Sequence, residues 1–208
     1  MQKIIFLRHS KLVLPYLDHS EMPFDMLSKL GTGELNPPID IPYTEERLRA
    51  LATRIDDADI QHVFASPFTR CQKTAEFISA KNEVLRSLQE VEFDLQKMDV
   101  DGTLQKDFGD RGISVVNTAV FTGMIEGTCE TIDSVYARVR ETFNALPQDG
   151  TVLCITHDFL MRIIEIFIKR SGRAYEPISL QELESTQRNG YLCGFATDRN
   201  SNSFESIE

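Results

Sequence analysis

The sequence of 208 residues lacks three features that would place it in common protein classes. It has no Cys-x-x-Cys pair, and its four cysteines lie far apart: Cys71, Cys129, Cys154 and Cys193. This spacing argues against a disulfide framework or a zinc site, and it favours a reducing compartment. It has no long uncharged apolar run, because the segment from Phe159 to Ile168 is short and contains Arg162 and Glu165. It also has no secretion signal, since Arg8 and His9 interrupt the apolar run near its start.

Basic charge is scarce as well. The net charge is −10, which argues against nucleic acid as the main partner because duplex binding needs a basic face. An acidic protein that binds an anion must create its positive potential locally, from a few arginines. No repeat or low-complexity linker is present, and 41% of the residues are hydrophobic, enough for a real core. We expect one domain over residues 1–208, in the cytoplasm and away from membranes; the sequence does not define the oligomeric state.

The most informative feature is an apolar strand that runs directly into an arginine and a histidine. Residues 4–10 read Ile-Ile-Phe-Leu-Arg-His-Ser, so Arg8 and His9 fall at the carboxyl end of the strand. Open α/β sheets bind ligands at that edge. Arginine offers a planar fork of donors that suits phosphate, and neutral histidine can act as a nucleophile. The alternative is that the chain simply leaves the core here.

Two further segments repeat this chemistry. Residues 151–156 are predicted to form a second apolar strand of the kind that is buried in a sheet, and His157 directly follows it. Residues 66–74 read Ser-Pro-Phe-Thr-Arg-Cys-Gln-Lys-Thr, which places Arg70 in the first turn of a helix that follows a strand. Unpaired N–H groups at a helix N-terminus bind anions. Arg70 could instead be an ordinary solvated arginine, the commoner situation for a single residue.

Strands alternate with amphipathic helices, so the fold class is predicted to be α/β, a three-layer α/β/α sandwich with a mostly parallel central sheet. Ser10 to Pro42 is predicted to be a long surface loop because it contains five of the eight prolines. Residues 90–128 are predicted to be a small cap or insertion with some helix. Strands are predicted over residues 3–8, 62–65, 84–85, 151–156, 191–196 and 203–207. Predicted helices begin at Thr44 (with Leu48, Leu51, Ala52 and Ile55 as its apolar stripe), at Ser66, at Glu130 and after His157.

Together the three motifs resemble the histidine phosphatase superfamily, the phosphoglycerate-mutase-like group. The resemblance lies in Leu-Arg-His-Ser after the first strand, Ser-Pro-Phe-Thr-Arg-x-x-x-Thr after a second and Thr-His-Asp after a later one. It covers the chain nearly end to end in order and spacing. It implies that His9 attacks phosphorus and carries a phosphohistidine. It also implies that Arg8, Arg70 and His157 surround the phosphoryl oxygens, and that no metal or other cofactor is needed.

The resemblance also implies a general acid, for which two residues compete. Glu90 matches the acidic position of the family and would protonate the leaving oxygen, which requires partial burial or a nearby carboxylate such as Glu92. Asp158 follows the second histidine, as in the phytase and acid phosphatase branch, although it could merely complement a helix N-terminus. The sequence departs from the family at Ser10, where glycine is usual, and it lacks the Trp-Glu-Gly stretch after the acid.

The expected activity is hydrolysis of a small soluble phosphate ester by a metal-independent phosphomonoesterase. A phosphoglycerate-type mutase uses the same residues, and a non-catalytic binder of phosphorylated ligands is a rival from a different class. Removal of phosphohistidine from a protein partner stays open too. The residues do not identify the substrate. His19 and His62 are assigned no role.

Overall fold

A central six-stranded sheet organises the chain in the computed structural model, which describes residues 2–16, 19–52, 60–170, 177–186 and 188–208. The strands are β1 (Lys3–Arg8), β2 (Ile60–Ala65), β3 (Glu83–Val84), β4 (Thr151–Thr156), β5 (Gly194–Asp198) and β6 (Glu205–Ile207). Their order is β3-β2-β4-β1-β5-β6. The pairs among β3, β2, β4 and β1 are parallel, whereas β5 and β6 pair antiparallel at one edge. The predicted α/β class with a mostly parallel sheet is confirmed.

Helices cover both faces of the sheet. Within the described ranges they are α1 (Phe24–Thr32), α2 (Ile41–Leu51), α3 (Thr69–Ile78), α4 (Leu95–Met98), α5 (Thr103–Arg111), α6 (Ile113–Glu126), α7 (Ile132–Ala145), α8 (Asp158–Lys169) and α9 (Leu180–Glu184). Short 3₁₀ turns lie at His19–Glu21 and Arg86–Leu88. None of the helices in these ranges has both the length and the apolarity that a membrane crossing needs.

The alternation of side chains along the strands creates two separate cores. Ile4 and Phe6 of β1 belong to a large apolar cluster that also contains residues of α1 and of α5 to α8. Ile5 and Leu7 point to the other face, where a smaller cluster includes Leu51 of α2 together with Cys71 and Ala75 of α3. The result is the predicted three-layer sandwich. All four cysteines are free thiols.

The prediction of a loop from Ser10 to Pro42 was wrong, because helix α1 occupies part of it. Phe24, Leu27 and Leu30 are spaced along one face of this helix and are buried. Pro23 directly precedes the helix, and Gly33 ends it in the left-handed conformation with φ 79°. Helix-breaking residues near the ends of α1 were therefore misinterpreted as the sign of an irregular segment.

Two predicted helix starts were also misplaced, because the side chains expected to cap them bind elsewhere. Helix α2 begins at Ile41, and its N-cap is Asp40, whose side chain accepts a hydrogen bond from the Tyr43 amide. Thr44 is instead buried inside the helix and donates to the carbonyl of Asp40. Helix α3 begins at Thr69 rather than after Ser66.

Other differences concern the ends of the chain and the segment 90–128. Helices α4 to α6 fill much of that segment, and Phe108 and Phe121 belong to the same apolar cluster as the sheet. Whether the segment is a separate cap stays a prediction. Helix α9 was not predicted, and the last two strands begin two or three residues later than expected. Ile55, predicted on the stripe of α2, lies outside the described residues.

The close approach of β5 to β1 depends on glycine at position 194. Gly194 pairs with Leu7, and a Cβ there would overlap the carbonyl oxygen of Phe6. We expect Gly194→Ala to lower the free energy of unfolding by about 1–3 kcal/mol, because the two strands would have to move apart. Urea unfolding measures the change.

Gly109 is a matched control because it lies on the exposed side of α5 and a Cβ there would contact nothing within 4 Å. Gly109→Ala should be stabilising, by about 0.5–1 kcal/mol. Equal effects of the two substitutions would contradict this account of the sheet.

Candidate active site

The two histidines meet because β1 and β4 are adjacent and parallel. Arg8 pairs with Thr156 in the register of the two strands, so the next residues, His9 and His157, emerge side by side. The His9 amide donates to the Thr156 carbonyl at 2.9 Å, and the two imidazole rings lie 5.3 Å apart, centre to centre. After β1 the chain continues to β2, which lies on one side of the β1–β4 pair in the sheet. After β4 it continues to β5, which lies on the other side of that pair. Such a switch point opens a crevice at the carboxyl ends of the strands.

His9 is oriented by its own neighbour. Its Nδ1 lies 2.8 Å from the carbonyl oxygen of Ser10, which can only accept, so Nδ1 carries the ring proton and Nε2 keeps a lone pair. The ring is buried. Burial, followed by the positive charges of Arg70 and Arg8, lowers the pKa of His9 well below its usual value. His9 is therefore neutral at physiological pH, with Nε2 available as a base or nucleophile.

Ser10, the departure from the usual glycine, points away from the crevice. Its amide donates to Thr74 Oγ1 at 3.0 Å, and its hydroxyl lies 2.6 Å from Thr44 Oγ1. These contacts attach the loop after β1 to helices α2 and α3. The serine thus positions the backbone carbonyl that holds His9.

His157 has partners on both ring nitrogens. Ser66 Oγ lies 2.8 Å from Nε2, and a terminal nitrogen of Arg70 lies 3.4 Å from Nδ1. Ser66 was expected to cap α3, but its hydroxyl is directed to this imidazole. Burial lowers the pKa of His157 well below its usual value, and Arg70, His9 and Arg8 lower it further.

The two arginines supply positive charge beside the histidines. Arg70 is only 4% exposed, and its Nε and Nη1 atoms are buried without a hydrogen-bond partner among the described residues. Arg8 donates to the carbonyl of Asn189 at 2.7 Å and stacks over the Tyr191 ring at 4.3 Å. A buried guanidinium with unsatisfied donors is costly unless an anion binds there. The arrangement is thus preorganised for a tetrahedral oxyanion.

Glu90 is a buried carboxyl at the edge of the same crevice. Its Oε1 accepts hydrogen bonds from the amides of Val91 at 3.0 Å and Leu160 at 3.1 Å. The pKa of Glu90 is raised to about 7, because burial and the nearby Asp158 raise it by more than the two amides and Arg70 lower it. The expected burial is observed, and the nearby carboxylate is Asp158, whereas Glu92, offered as an example, lies exposed and accepts a hydrogen bond from Gln89.

Asp158 begins helix α8 and lines the crevice, but it is already engaged. Its Oδ1 accepts the Asn189 amide at 2.8 Å, and the Asn189 carbonyl accepts from Arg8. Asp158 therefore holds the segment that orients Arg8.

These residues open into one cavity that is partly open to solvent. Its polar lining includes Arg8, His9, Arg70, Glu90 and Asp158, so the structure brings the predicted residues together around one space. His157 lies directly behind, in contact with His9 and Arg70. In the described part of the chain, no group of three His, Cys, Asp or Glu side chains is arranged to hold a metal ion.

Sequence reasoning missed several residues around this cavity. His19, Asn117 and Arg188 line it, and Tyr191 stacks on Arg8 and lies 3.4 Å from His19 through its hydroxyl. Tyr191 was predicted only as the first residue of a strand, which gives no sign of a role in the cavity. Nothing local marks His19, because it is brought in by a segment that was interpreted as a surface loop.

Solved structures share this architecture along nearly the whole chain. An α-ribazole phosphatase from Shigella flexneri is 15% identical, with a TM-score of 0.60, over 99% of this chain and 94% of that one. A phosphoserine phosphatase from Entamoeba histolytica, in complex with 3-phosphoglyceric acid, is 14% identical, with a TM-score of 0.62, over 100% and 98%. A phosphoglycerate mutase from Bacillus anthracis is 14% identical, with a TM-score of 0.58, over 99% and 92%. At such identities the likeness establishes the fold alone.

A comparison with proteins of curated function finds no match to this sequence. The sequence profile of the histidine phosphatase superfamily (branch 1) matches residues 33–187, which include Arg70, Glu90 and His157. Arg8 and His9 precede the matched segment, and the register of β1 with β4 brings them to it. The match spans most of the chain, and the fold agrees with it: this protein belongs to the histidine phosphatase superfamily.

Proposed function

We propose that this protein is a metal-independent phosphomonoesterase that hydrolyses a small phosphorylated metabolite through a phosphohistidine on His9. The observation that carries the proposal is the pairing of a neutral, buried His9 with the unsatisfied donors of Arg70. Phosphoryl transfer requires mainly in-line positioning and neutralisation of charge. The family and its phosphatase and mutase neighbours support the same reaction class.

In the first step, His9 Nε2 attacks phosphorus and the bond from phosphorus to the ester oxygen breaks. Arg8 and Arg70 neutralise the equatorial oxygens, and His157 contacts the same group from behind. Glu90 donates its proton to the leaving oxygen, so an alcohol departs. A pKa of about 7 keeps much of the Glu90 population protonated near neutral pH.

In the second step, the Glu90 carboxylate removes a proton from water, and the resulting hydroxide attacks phosphorus. The phosphorus–nitrogen bond breaks, inorganic phosphate leaves, and His9 is neutral again. Glu90 has regained its proton. The cycle balances with one water consumed and no redox partner.

The proposed nucleophile and charge clamp are tested by two substitutions. We expect His9→Ala to reduce kcat/KM for p-nitrophenyl phosphate by at least about 10³-fold and to abolish acid-labile phosphate labelling of the protein. Arg70→Ala should cost about 10²–10³-fold because a charge-stabilising donor is lost. Rapid-quench labelling and steady-state assays measure both effects.

His62→Ala serves as the control, since His62 lies on β2 and does not line the cavity. It should retain near-normal activity. A His9→Ala enzyme that still forms the labelled intermediate would exclude this residue as the nucleophile. An absence of turnover by the unaltered protein, together with binding of phosphate esters, would favour the non-catalytic binder.

Glu90 is proposed as the acid in preference to Asp158 because its pKa is raised to about 7, whereas Asp158 holds the Asn189 segment that orients Arg8. An alkoxide is too basic to leave unprotonated, whereas p-nitrophenolate leaves as an anion. Glu90→Gln should therefore lose far more activity on an alkyl phosphate than on p-nitrophenyl phosphate. Asp158→Asn should affect both substrates equally, through Arg8. The reverse pattern would assign the acid to Asp158.

The raised pKa of Glu90 also predicts a pH dependence. Above about pH 7, the proton needed for the first step is lost, so kcat/KM for an alkyl phosphate should fall with rising pH. The ester itself is already fully ionised there, because its second pKa is about 6. The profile for p-nitrophenyl phosphate should stay flat in this range, and a parallel decline of both would contradict the role of Glu90.

A mutase is the second candidate, favoured by the phosphoglycerate mutase among the structural neighbours. We place hydrolysis first because the chain lacks the Trp-Glu-Gly stretch after the acid. Incubation with 3-phosphoglycerate and catalytic 2,3-bisphosphoglycerate separates the two reactions. Hydrolysis predicts steady release of phosphate, whereas phosphoryl exchange between the two hydroxyl positions without release would identify a mutase.

A further inference from the structure

The cavity has an apolar half that phosphoryl transfer does not use. From it we infer that the leaving group of the substrate is an apolar alcohol, aromatic or aliphatic, rather than a hydroxyacid or a polyol. This inference rests on the proposed function and concerns the same site. It follows from three observations: which residues form that half, how rigidly they are held, and where the polar groups lie.

The apolar side chains of the lining form what we call the wall. It consists of Ile113, which is half-buried, and of six side chains that are each no more than 9% exposed: Leu12, Leu27, Leu30, Phe93, Val116 and Phe159. Leu27 and Leu30 come from α1, Val116 from α6 and Phe159 from α8. Elements that lie far apart in the sequence thus contribute hydrocarbon to one surface beside the predicted phosphate position.

The wall is rigid. Phe93 packs edge-to-face on Phe159 at 5.5 Å, and Phe159 packs in the same way on Phe121 at 5.4 Å. The other side of Phe93 lies against Gly31, where a Cβ would overlap the ring. A wall that cannot collapse keeps its volume for a ligand, and hydrocarbon that enters it gains the full benefit of leaving water.

Apart from the polar groups described above at the predicted phosphate position, the polar side chains of the lining are not buried. Arg188 is exposed and His19 and Asn117 are half-buried, whereas the wall itself offers no side-chain hydrogen-bond donor or acceptor. A hydroxyacid or a polyol would bury its polar groups against hydrocarbon without partners, which is costly.

The test compares esters matched in the acidity of the leaving group and different in apolar size. Phenyl and 2-naphthyl phosphate form the aromatic pair, and n-hexyl phosphate with glycerol 3-phosphate forms the alkyl pair. We expect kcat/KM to be at least about 10-fold higher for the more apolar member of each pair, since apolar pockets discriminate by such factors. O-phosphoserine and 3-phosphoglycerate should be poor substrates.

A pair of neighbouring substitutions localises the effect to the wall. Val116→Thr places a hydroxyl in the wall without changing its shape, and should reduce the preference for 2-naphthyl over phenyl phosphate several-fold. Val115→Thr is the matched control, because Val115 is also buried on α6 but does not line the cavity. It should leave the preference unchanged. Competitive inhibition by inorganic phosphate, which does not reach the wall, should be the same in all three proteins.

The possible failures are distinguishable. Hydrolysis with equal rates within each pair, or with preference for O-phosphoserine or 3-phosphoglycerate, would overturn the inference and leave the proposed phosphatase intact. No hydrolysis of any ester would overturn the proposed function and the inference with it. If Val116→Thr did not fold, the preferences of the unaltered protein would still decide the outcome.

Discussion

The parallel pairing of β1 with β4 is the constraint on which the site depends. Backbone hydrogen bonds hold the two strands in a register that sets Arg8 against Thr156, and His9 and His157 must then leave the sheet side by side. Because side chains alternate along a strand, a slip of one residue would send each of them to the opposite face. Ile4 and Phe6 on one side and Ile5 and Leu7 on the other prevent such a slip, since each is buried in its own core.

This geometry places positive charge in a buried part of the protein, where water solvates it poorly. Arg70 is buried with unsatisfied donors, and His9 and His157 stay neutral because burial and the arginines make a further positive charge unfavourable. Glu90 responds in the opposite direction, since a buried carboxyl resists ionisation. One low-dielectric environment thus produces a neutral imidazole and a protonated carboxyl at the same pH. The positive potential at the site is therefore local, since the chain as a whole has a net charge of −10.

Local patterns predicted the parts of the fold that local forces determine. The apolar runs of β1 and β4, and the helices predicted near Glu130 and after His157, follow from which side chains must be buried, and those predictions were confirmed. The errors occurred where a side chain found a distant partner. Ser66 binds His157 instead of capping α3, and Thr44 lies next to Ser10 instead of capping α2. Helix propensity and capping preferences cannot anticipate such contacts, because the partner is many residues away.

The sequence by itself determined that this protein is α/β, that it belongs with histidine phosphatases, and that Arg8, His9, Arg70, Glu90 and His157 are the residues to examine. These conclusions depend on residue types and on their positions relative to strand ends, which can be read along the chain. Only the tertiary structure decided that Asp158 holds Asn189, that Tyr191 stacks on Arg8, and that α1 and α6 build an apolar wall. Each of these features joins residues that are distant in sequence, and such contacts come into being only when the chain has folded.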